Sequence, residues 1–367
     1  MITISLCMIV KNEEQVLARC LDSVHSVVDE IIIVDTGSTD RTIEIAKRYT
    51  QHVHHFKWID DFAAARNEAF SKATMSHILW LDADDVLLDA DRKKLTLLKL
   101  TLGEHVDSVL MDYHLSADEN GQVTTSLKRN RLVRSDRGFR WVGAVHEYLA
   151  VSGTSIDGGI AVTHLREEHD RDRNIRIYEA MLQQGQTLSV RDLYYYGNEL
   201  LDHGHYERAI ASYEQFLATK QGWVEDCIAA CGKLADCFAH LDRHEDALRY
   251  ALRSFEYDTP RAEFCCRIGY WFLQQERYQT AVHWYKTASE LDDPKARMSL
   301  TNRACQTWLP HLQLCVCYDR LGMTELAYEH NERALAYRPA DSVILNNKRY
   351  LEGILQSKPT AEEATRM

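Results

Sequence analysis

Apolar and polar positions change their rhythm once along this chain, near residue 190. Before it, short apolar runs alternate with helical stripes. "ISLCMIV" (4–10) predicts a first strand. In "EEQVLARCLDSV", Val16, Leu17, Cys20, Leu21 and Val24 fall on one helical face. "EIIIVD" (30–35) is a continuous apolar strand, the pattern of one buried on both faces. "TDRTIEIAKRYT" predicts a helix whose start is marked by the capping residues Ser38, Thr39 and Asp40. "AAARNEAFSKA" is a third helix and "HILWLDAD" a third strand. This order implies a mostly parallel, Rossmann-like α/β sheet. Ligands in such sheets sit beyond the carboxyl ends of the strands. Asp35 and Asp82 each follow an apolar strand at that position, and Asp84 and Asp85 extend the second acid. A polar turn and a cation site are both open readings of "DADD".

Beyond residue 190 strands disappear. Gly197, Ala209, Tyr213 and Phe216 stand at offsets that recur as Gly269, Ala281, Tyr285 and Ala288. Ala235, Ala247, Ala251 and Ser254 form a third copy; Cys315, Ala327, Asn331 and Ala334 form a fourth, closed by Pro339. These are the small-residue contacts of stacked helix–turn–helix units. The segment resembles the tetratricopeptide repeat family over roughly 190–340, with "DSVILNNKRYLEGIL" as a capping helix. The resemblance implies a concave surface suited to a peptide or partner. The expected organisation is an α/β domain over 1–188, an all-α repeat domain over 189–357 and a flexible tail over 358–367.

Composition narrows the partners. The 43 basic and 55 acidic residues give a net charge of −12, which argues against nucleic acid held by general charge. No run reaches the roughly 18 apolar residues of a membrane span. The opening "MITISLCMIV" lacks the basic start and cleavage site of an export signal. Ten cysteines form no zinc-like paired spacing, so they read as apolar packing in a reduced, cytoplasmic protein.

The first apolar strand is followed by "VKNEEQ", not by GxGxxG, and no GxxxxGK[ST] occurs. Dinucleotide and ATPase readings lose their main support. What remains is a nucleotide-type cleft in which phosphate is neutralised by something other than a glycine loop. A divalent cation held by carboxylates, Mg2+ or Mn2+, does that.

Here the motifs converge. "CMIVKNEE" (7–14), "IIIVDTGSTDRT" (31–42), "DDFAAARNEA" (60–69) and "ILWLDADD" (78–85) together resemble family 2 glycosyltransferases of the GT-A fold. "WVGAVHE" (141–147) and "AVTHL" (161–165) extend the likeness. The resemblance implies inverting transfer of a sugar from a nucleotide donor. It implies that Val10, Asn12 and Glu13 border the nucleotide and that Asp35 meets the base, typically uracil. Arg66 would lie near the nucleotide and diphosphate, or form an ion pair on a helix surface. Asp82 would meet ribose or sugar, Asp84 the metal, and His164 the metal or diphosphate. Asp85 reads as an outward or structural acid. Trp58 and Trp141 would wall the sugar pocket or simply pack. The base position falls on "HE", where the family places Asp after Glu, so Glu147 and His146 both remain candidates.

A GT-A domain with "GxVHE" ahead of tetratricopeptide repeats resembles the sublancin-type peptide S-glycosyltransferases, which glucosylate Cys or Ser in bacteriocin precursors. That implies a UDP-sugar donor, a peptide acceptor held by the repeats and self-association through exposed helical faces. The alternatives are a saccharide acceptor, and a repeat scaffold carrying an inactive transferase domain.

Overall fold

A computed structural model gives the fold; it describes residues 1–117, 123–165, 170–291 and 302–357. The tail expected over 358–367 lies outside the described residues. The chain divides into two compact units, Met1–Thr187 and Leu188–Met367.

The first unit alternates β1 (Ile4–Val10), α1 (Leu17–Val24), β2 (Glu30–Asp35), α2 (Thr42–Ala46), β3 (Val53–His55), α3 (Phe62–Ser71) and β4 (His77–Trp80). It continues with β5 (Asp85–Val86), α4 (Asp89–Thr101), β6 (Ser108–Ala117), β7 (Val123–Arg134), β8 (Arg140–Val142), β9 (Tyr148–Ala150), β10 (Ser155–His164) and α5 (Arg173–Gln183). The main sheet has the order β3-β2-β1-β4-β7-β6-β10-β5, with β8 and β9 forming a separate pair. β1 is parallel to β2 and β4, β2 to β3, and β6 to β10. β7 runs antiparallel to β4 and β6, and β5 antiparallel to β10. The sheet is therefore mostly parallel.

Strand period explains why both faces are covered. Leu6, Met8, Val10, Ile31 and Ile33 enter one core, whereas Cys7, Ile32, Val34, Ile78 and Trp80 enter another. Successive side chains point to opposite faces, so a continuous apolar run feeds two cores at once. α1 closes the first core with Leu17, Cys20, Leu21 and Val24. α2 is shorter than the sequence suggests. Asp40 marks its start, with Oδ1 accepting from Thr42 N at 3.0 Å, although Arg41 holds the N-cap position; Ser38 and Asp40 also join two loops at the sheet's carboxyl end. Ser38 Oγ accepts from Asn12 N (3.0 Å) and Asp40 Oδ2 from Glu14 N (3.1 Å).

The second unit is all helical. α6 (Val190–Asp202) pairs with α7 (Tyr206–Ala218), α8 (Val224–His240) with α9 (His244–Arg253), α10 (Ala262–Gln274) with α11 (Tyr278–Glu290), and α12 (Trp308–Arg320) with α13 (Thr324–Tyr337). α14 (Ser342–Ser357) follows as the capping helix. The repeated small residues touch the repeated large ones. A Cβ on Gly197 would stand 2.6 Å from the Tyr213 ring, and one on Gly269 would stand 3.1 Å from Tyr285. Asn331, fully buried, donates to Ile344 O at 3.1 Å and so ties α13 to the capping helix.

Candidate active site

The "DADD" turn is held by its own ends. Asp82 N donates to Asp85 Oδ2 (2.9 Å) and Asp85 N to Asp82 O (3.1 Å). β5 then pairs with the end of β10, and the register places His164 opposite Asp85. Leu165 N donates to Asp84 O at 2.9 Å, which pins the same junction. Sequence distance is thus cancelled by one short antiparallel pairing. His164 Nδ1 comes to 3.5 Å from Asp84 Oδ1, 3.6 Å from Asp85 Oδ1 and 3.0 Å from the Tyr113 hydroxyl. The Asp84 and then the Asp85 carboxylate beside it push the His164 imidazole up to about 9.

Asp85 does not point outward, as one reading of the sequence had it. It is fully buried, and its Oδ2 pairs with Arg131 Nη1 at 2.9 Å. Arg131, also fully buried, lies between Trp80 (3.9 Å to the ring centroid) and Tyr113 (4.4 Å). Those ring faces cover a guanidinium whose Nε and Nη2 have no hydrogen-bond partner among the described residues.

A second guanidinium organises the other side. Arg66 Nη2 reaches Asp82 Oδ1 at 2.7 Å, and its Nε reaches Glu147 Oε1 at 2.6 Å. The group is largely buried, over Trp80 (5.2 Å) and Trp141 (4.8 Å). It is an internal bridge rather than a pair on the helix surface. Burial alone would raise the Asp82 carboxyl, but Arg66 and then Arg131 hold it down, to about 2. Next to Arg66, Asn67 clamps the backbone of Trp141: Nδ2 donates to its O (3.0 Å) and Oδ1 accepts from its N (2.9 Å). α3 therefore carries both the bridge and the clamp, and "ARN" fixes the "WVGAVHE" segment against the sheet.

The β1 and β2 ends carry the remaining candidates. The Val10 side chain is buried in the core, and Val10 O accepts from Thr36 N (3.0 Å), so its backbone lies at the site's edge. Asn12 has φ +58° and accepts from Thr39 N at 2.8 Å. Glu13 N donates to Thr42 Oγ1 at 2.7 Å. Asp35, 2% exposed, accepts from Gly37 N (3.1 Å) and Ser38 N (3.2 Å), with His55 Nδ1 3.7 Å away. His146 has φ +50°, a left-handed conformation that costs a non-glycine residue of order 1–3 kcal/mol and concentrates at functional sites. Trp58 is half-buried, its Nε1 donating to Asp60 Oδ1 at 2.7 Å. Trp141, 5% exposed, packs edge-on against Trp80 at 4.7 Å and serves the core.

Sequence reasoning had not found Arg131, Tyr113 or Asn67. Asn67 carried a signal, since it sits inside the quoted "ARN". Arg131 lies in "KRNR", which reads as a solvated basic run.

A divalent cation fits the donor set. Asp84, Asp85 and His164 each offer an atom, and these lie within 4.8 Å of one another. Asp85 Oδ1 is buried with no hydrogen-bond partner among the described residues, an orphan that a cation would satisfy.

The family model "Glycosyl transferase family 2" matches residues 5–150. A TPR repeat-containing protein of Synechococcus elongatus is 30% identical over 343 residues, 92% of this chain and 76% of that protein. The SPbeta prophage-derived glycosyltransferase SunS of Bacillus subtilis is 31% identical over 148 residues, 40% of this chain and 34% of that protein. Among solved structures the chain is similar to YrrB, described as a TPR protein with an unusual peptide-binding site, at TM-score 0.38 and 18% identity over 49% of this chain and 84% of that one. Among the described residues no helix is long and apolar enough to cross a membrane. The chain thus carries a family 2 glycosyltransferase domain over residues 5–150 and belongs with the tetratricopeptide repeat-containing proteins through the repeats that follow it.

Proposed function

We propose that this protein is a metal-dependent, inverting hexosyltransferase that moves a hexose from a UDP-sugar to a Cys or Ser side chain of a peptide held by the repeat unit. One observation carries the reading: a single guanidinium, Arg66, joins Asp82 to Glu147. A donor-side acid and a candidate base are thereby held within reach of one sugar. Glu147, rather than His146, is the base in this reading, because Arg66 joins Glu147 to Asp82. With Oε1 on Arg66, the other carboxylate oxygen of Glu147 takes the acceptor proton. The acceptor sulfur or oxygen bonds to the anomeric carbon as its bond to the diphosphate oxygen breaks, and UDP leaves with that electron pair. Asp84, Asp85 and His164 would hold Mg2+ or Mn2+, which would offset charge developing on the diphosphate. Asp82 orients the sugar or ribose. The peptide acceptor rests on the sublancin-type motifs and on the repeats, whose inner surface suits an extended chain.

The test incubates the purified chain with UDP-glucose, UDP-galactose or UDP-N-acetylglucosamine, Mn2+, and peptides bearing Cys or Ser, read by intact mass. Hexosylated peptide is expected, with loss on chelation and recovery on adding Mn2+ back. Transfer to oligosaccharides alone would remove the peptide acceptor, and undiminished turnover after chelation would remove the metal.

A further inference from the structure

β7 carries one residue too many for its partner strand. Val109 of β6 pairs with Leu132 and Leu110 with Asn130, so Arg131 is the extra residue of a bulge. A bulge re-aims a side chain, and bulges are frequent beside active sites. This one directs the fully buried Arg131 guanidinium to the "DADD" turn, where Nη1 donates to Trp80 O (3.2 Å) and pairs with Asp85 Oδ2 (2.9 Å).

Those contacts leave Asp85 one oxygen to give. Oδ2 is taken twice, by Arg131 and by Asp82 N, each at 2.9 Å. Oδ1 lies 3.6 Å from His164 Nδ1 and has no hydrogen-bond partner among the described residues. The fully buried Asp85 cannot turn to present both oxygens without giving up the two bonds at Oδ2. Tyr113 steadies His164 in the same way. Its hydroxyl is 3.0 Å from Nδ1, and its ring covers Arg131 at 4.4 Å. Number and stiffness of donors decide which divalent cation a site takes. Ca2+ gathers about six to eight oxygens, often both from one carboxylate, whereas Mg2+ keeps several waters and takes few protein donors. An imidazole nitrogen adds affinity for a transition metal, while Ca2+ takes oxygen. A carboxylate pinned to give one oxygen, beside an imidazole held in place, therefore disfavours Ca2+.

We infer that Arg131, through Asp85, and Tyr113, through His164, are positioning residues that make the cation site accept Mn2+ or Mg2+ and reject Ca2+. The inference rests on the metal reading above and goes beyond it: it names what keeps a wrong ion out rather than what holds the right one. Arg131 suits the task because its planar fork can hold two acceptors at once, here the Asp85 carboxylate and the Trp80 carbonyl.

The test reads cation binding, not turnover, on the full chain. Mn2+ binding is followed by loss of the free-ion electron paramagnetic resonance signal, alone and with UDP against a UDP blank. Ca2+ and Mg2+ are measured by competition, for wild type, Arg131→Lys and Tyr113→Phe, with thermal melts alongside. Wild type should bind Mn2+ well ahead of Ca2+. Arg131→Lys keeps the charge but loses the fork, so Asp85 can turn; Ca2+ should tighten and the preference for Mn2+ should shrink by about tenfold. Tyr113→Phe keeps the ring over Arg131 and removes the hydroxyl from His164; Mn2+ should weaken by about tenfold with Ca2+ unchanged. A purely structural role would move both ions alike, or the melting temperature alone. If Arg131→Lys does not fold, Tyr113→Phe and the wild-type preference still decide. Equal affinity of the wild type for Mn2+ and Ca2+, or a wild-type ratio in the folded variants, overturns the assignment and leaves the metal reading standing. A wild type that binds no divalent cation, with or without UDP, removes the metal reading and this inference with it.

Discussion

The two units of this chain both use buried polar groups and left-handed residues, but for opposite ends. In the first unit, Asp84, Asp85 and Arg131 are buried together, and among the described residues the non-glycine positions with positive φ are Asn12, Asp60 and His146, all in loops around the candidate site. In the repeats, burial is dominated by apolar and small residues. The positive-φ positions Gly204, Asp242, Glu276 and Gly322 each lie two residues past the end of α6, α8, α10 and α12. One unit keeps costly groups where a ligand would meet them. The other puts a left-handed residue in each turn within a helix pair, glycine in two of the four, because the turn requires it, and Lys220 after α7 is left-handed too. A buried charge or a strained residue is therefore evidence of chemistry only where geometry supplies no simpler reason.

The largest expected effect tests the buried charges. Arg131→Met takes the guanidinium away from the fully buried Asp85, and breaking a buried pair by removing one partner costs about 3–5 kcal/mol. The first unit should melt far earlier. Asp85→Asn in the same chain should recover much of the loss, since it removes the stranded partner. A melt unchanged by Arg131→Met would mean the pair adds nothing to the fold.

That pair also marks the limit of what sequence could show. β1 and β2 were legible to the residue, because continuous apolar runs bounded by polar turns leave little freedom. The repeats were legible because small residues recur at fixed offsets. β7 was not: its "SLKRNRLVR" is charged, and it becomes a strand only by inserting between β4 and β6. Arg131 is the consequence. Its burial comes from long-range pairing that puts Trp80 and Tyr113 on either side, and nothing local in the chain encodes that. The same holds for Asp85, whose neighbour His164 is far away in sequence and directly opposite in the sheet. Arg66 was placed near the donor by motif alone; its role as a bridge to Glu147 required the fold.

Glu147→Gln comes next. Transfer should fall by at least about 10²-fold, the scale of losing a general base, while UDP binding changes little. A Cys acceptor is partly ionised near neutrality and needs less help than Ser. Ser transfer should therefore fall further, and Cys transfer should recover as pH rises. Rates on paired Cys and Ser peptides across pH decide this. If His146→Ala gives that pattern and Glu147→Gln does not, the base is one residue earlier.

On the repeat side, Gly197→Ala and Gly269→Ala separate packing from propensity. Alanine favours a helix over glycine by roughly 0.5–1 kcal/mol. At Gly197 the new methyl would meet a rigid ring at 2.6 Å, so overpacking should win by about 1–3 kcal/mol. At Gly269 the distance is 3.1 Å, and a small ring shift should leave the change near zero. Denaturant midpoints of the two variants would show it, and equal losses would mean the Tyr213 and Tyr285 contacts are not graded as their distances suggest.

The smallest effect addresses the left-handed residues themselves. Glu276, at φ +56°, closes the turn after α10, where the turns after α6 and α12 use Gly204 and Gly322. An L-residue in this conformation costs about 1–2 kcal/mol, and glycine there gives back part of that gain through its greater freedom when unfolded. Glu276→Gly should therefore stabilise the repeats by about 1 kcal/mol, read as a higher midpoint. Asn12→Gly is the contrasting variant, at φ +58° in the candidate site. It relieves the same strain but removes the side-chain oxygen that accepts from Thr39 N at 2.8 Å and holds the β1 loop to the β2 loop. Relief and loss should nearly cancel in stability, and nucleotide binding should weaken as that loop loosens. If Asn12→Gly instead stabilises the chain with nucleotide affinity unchanged, the left-handed Asn12 is a turn residue like Glu276.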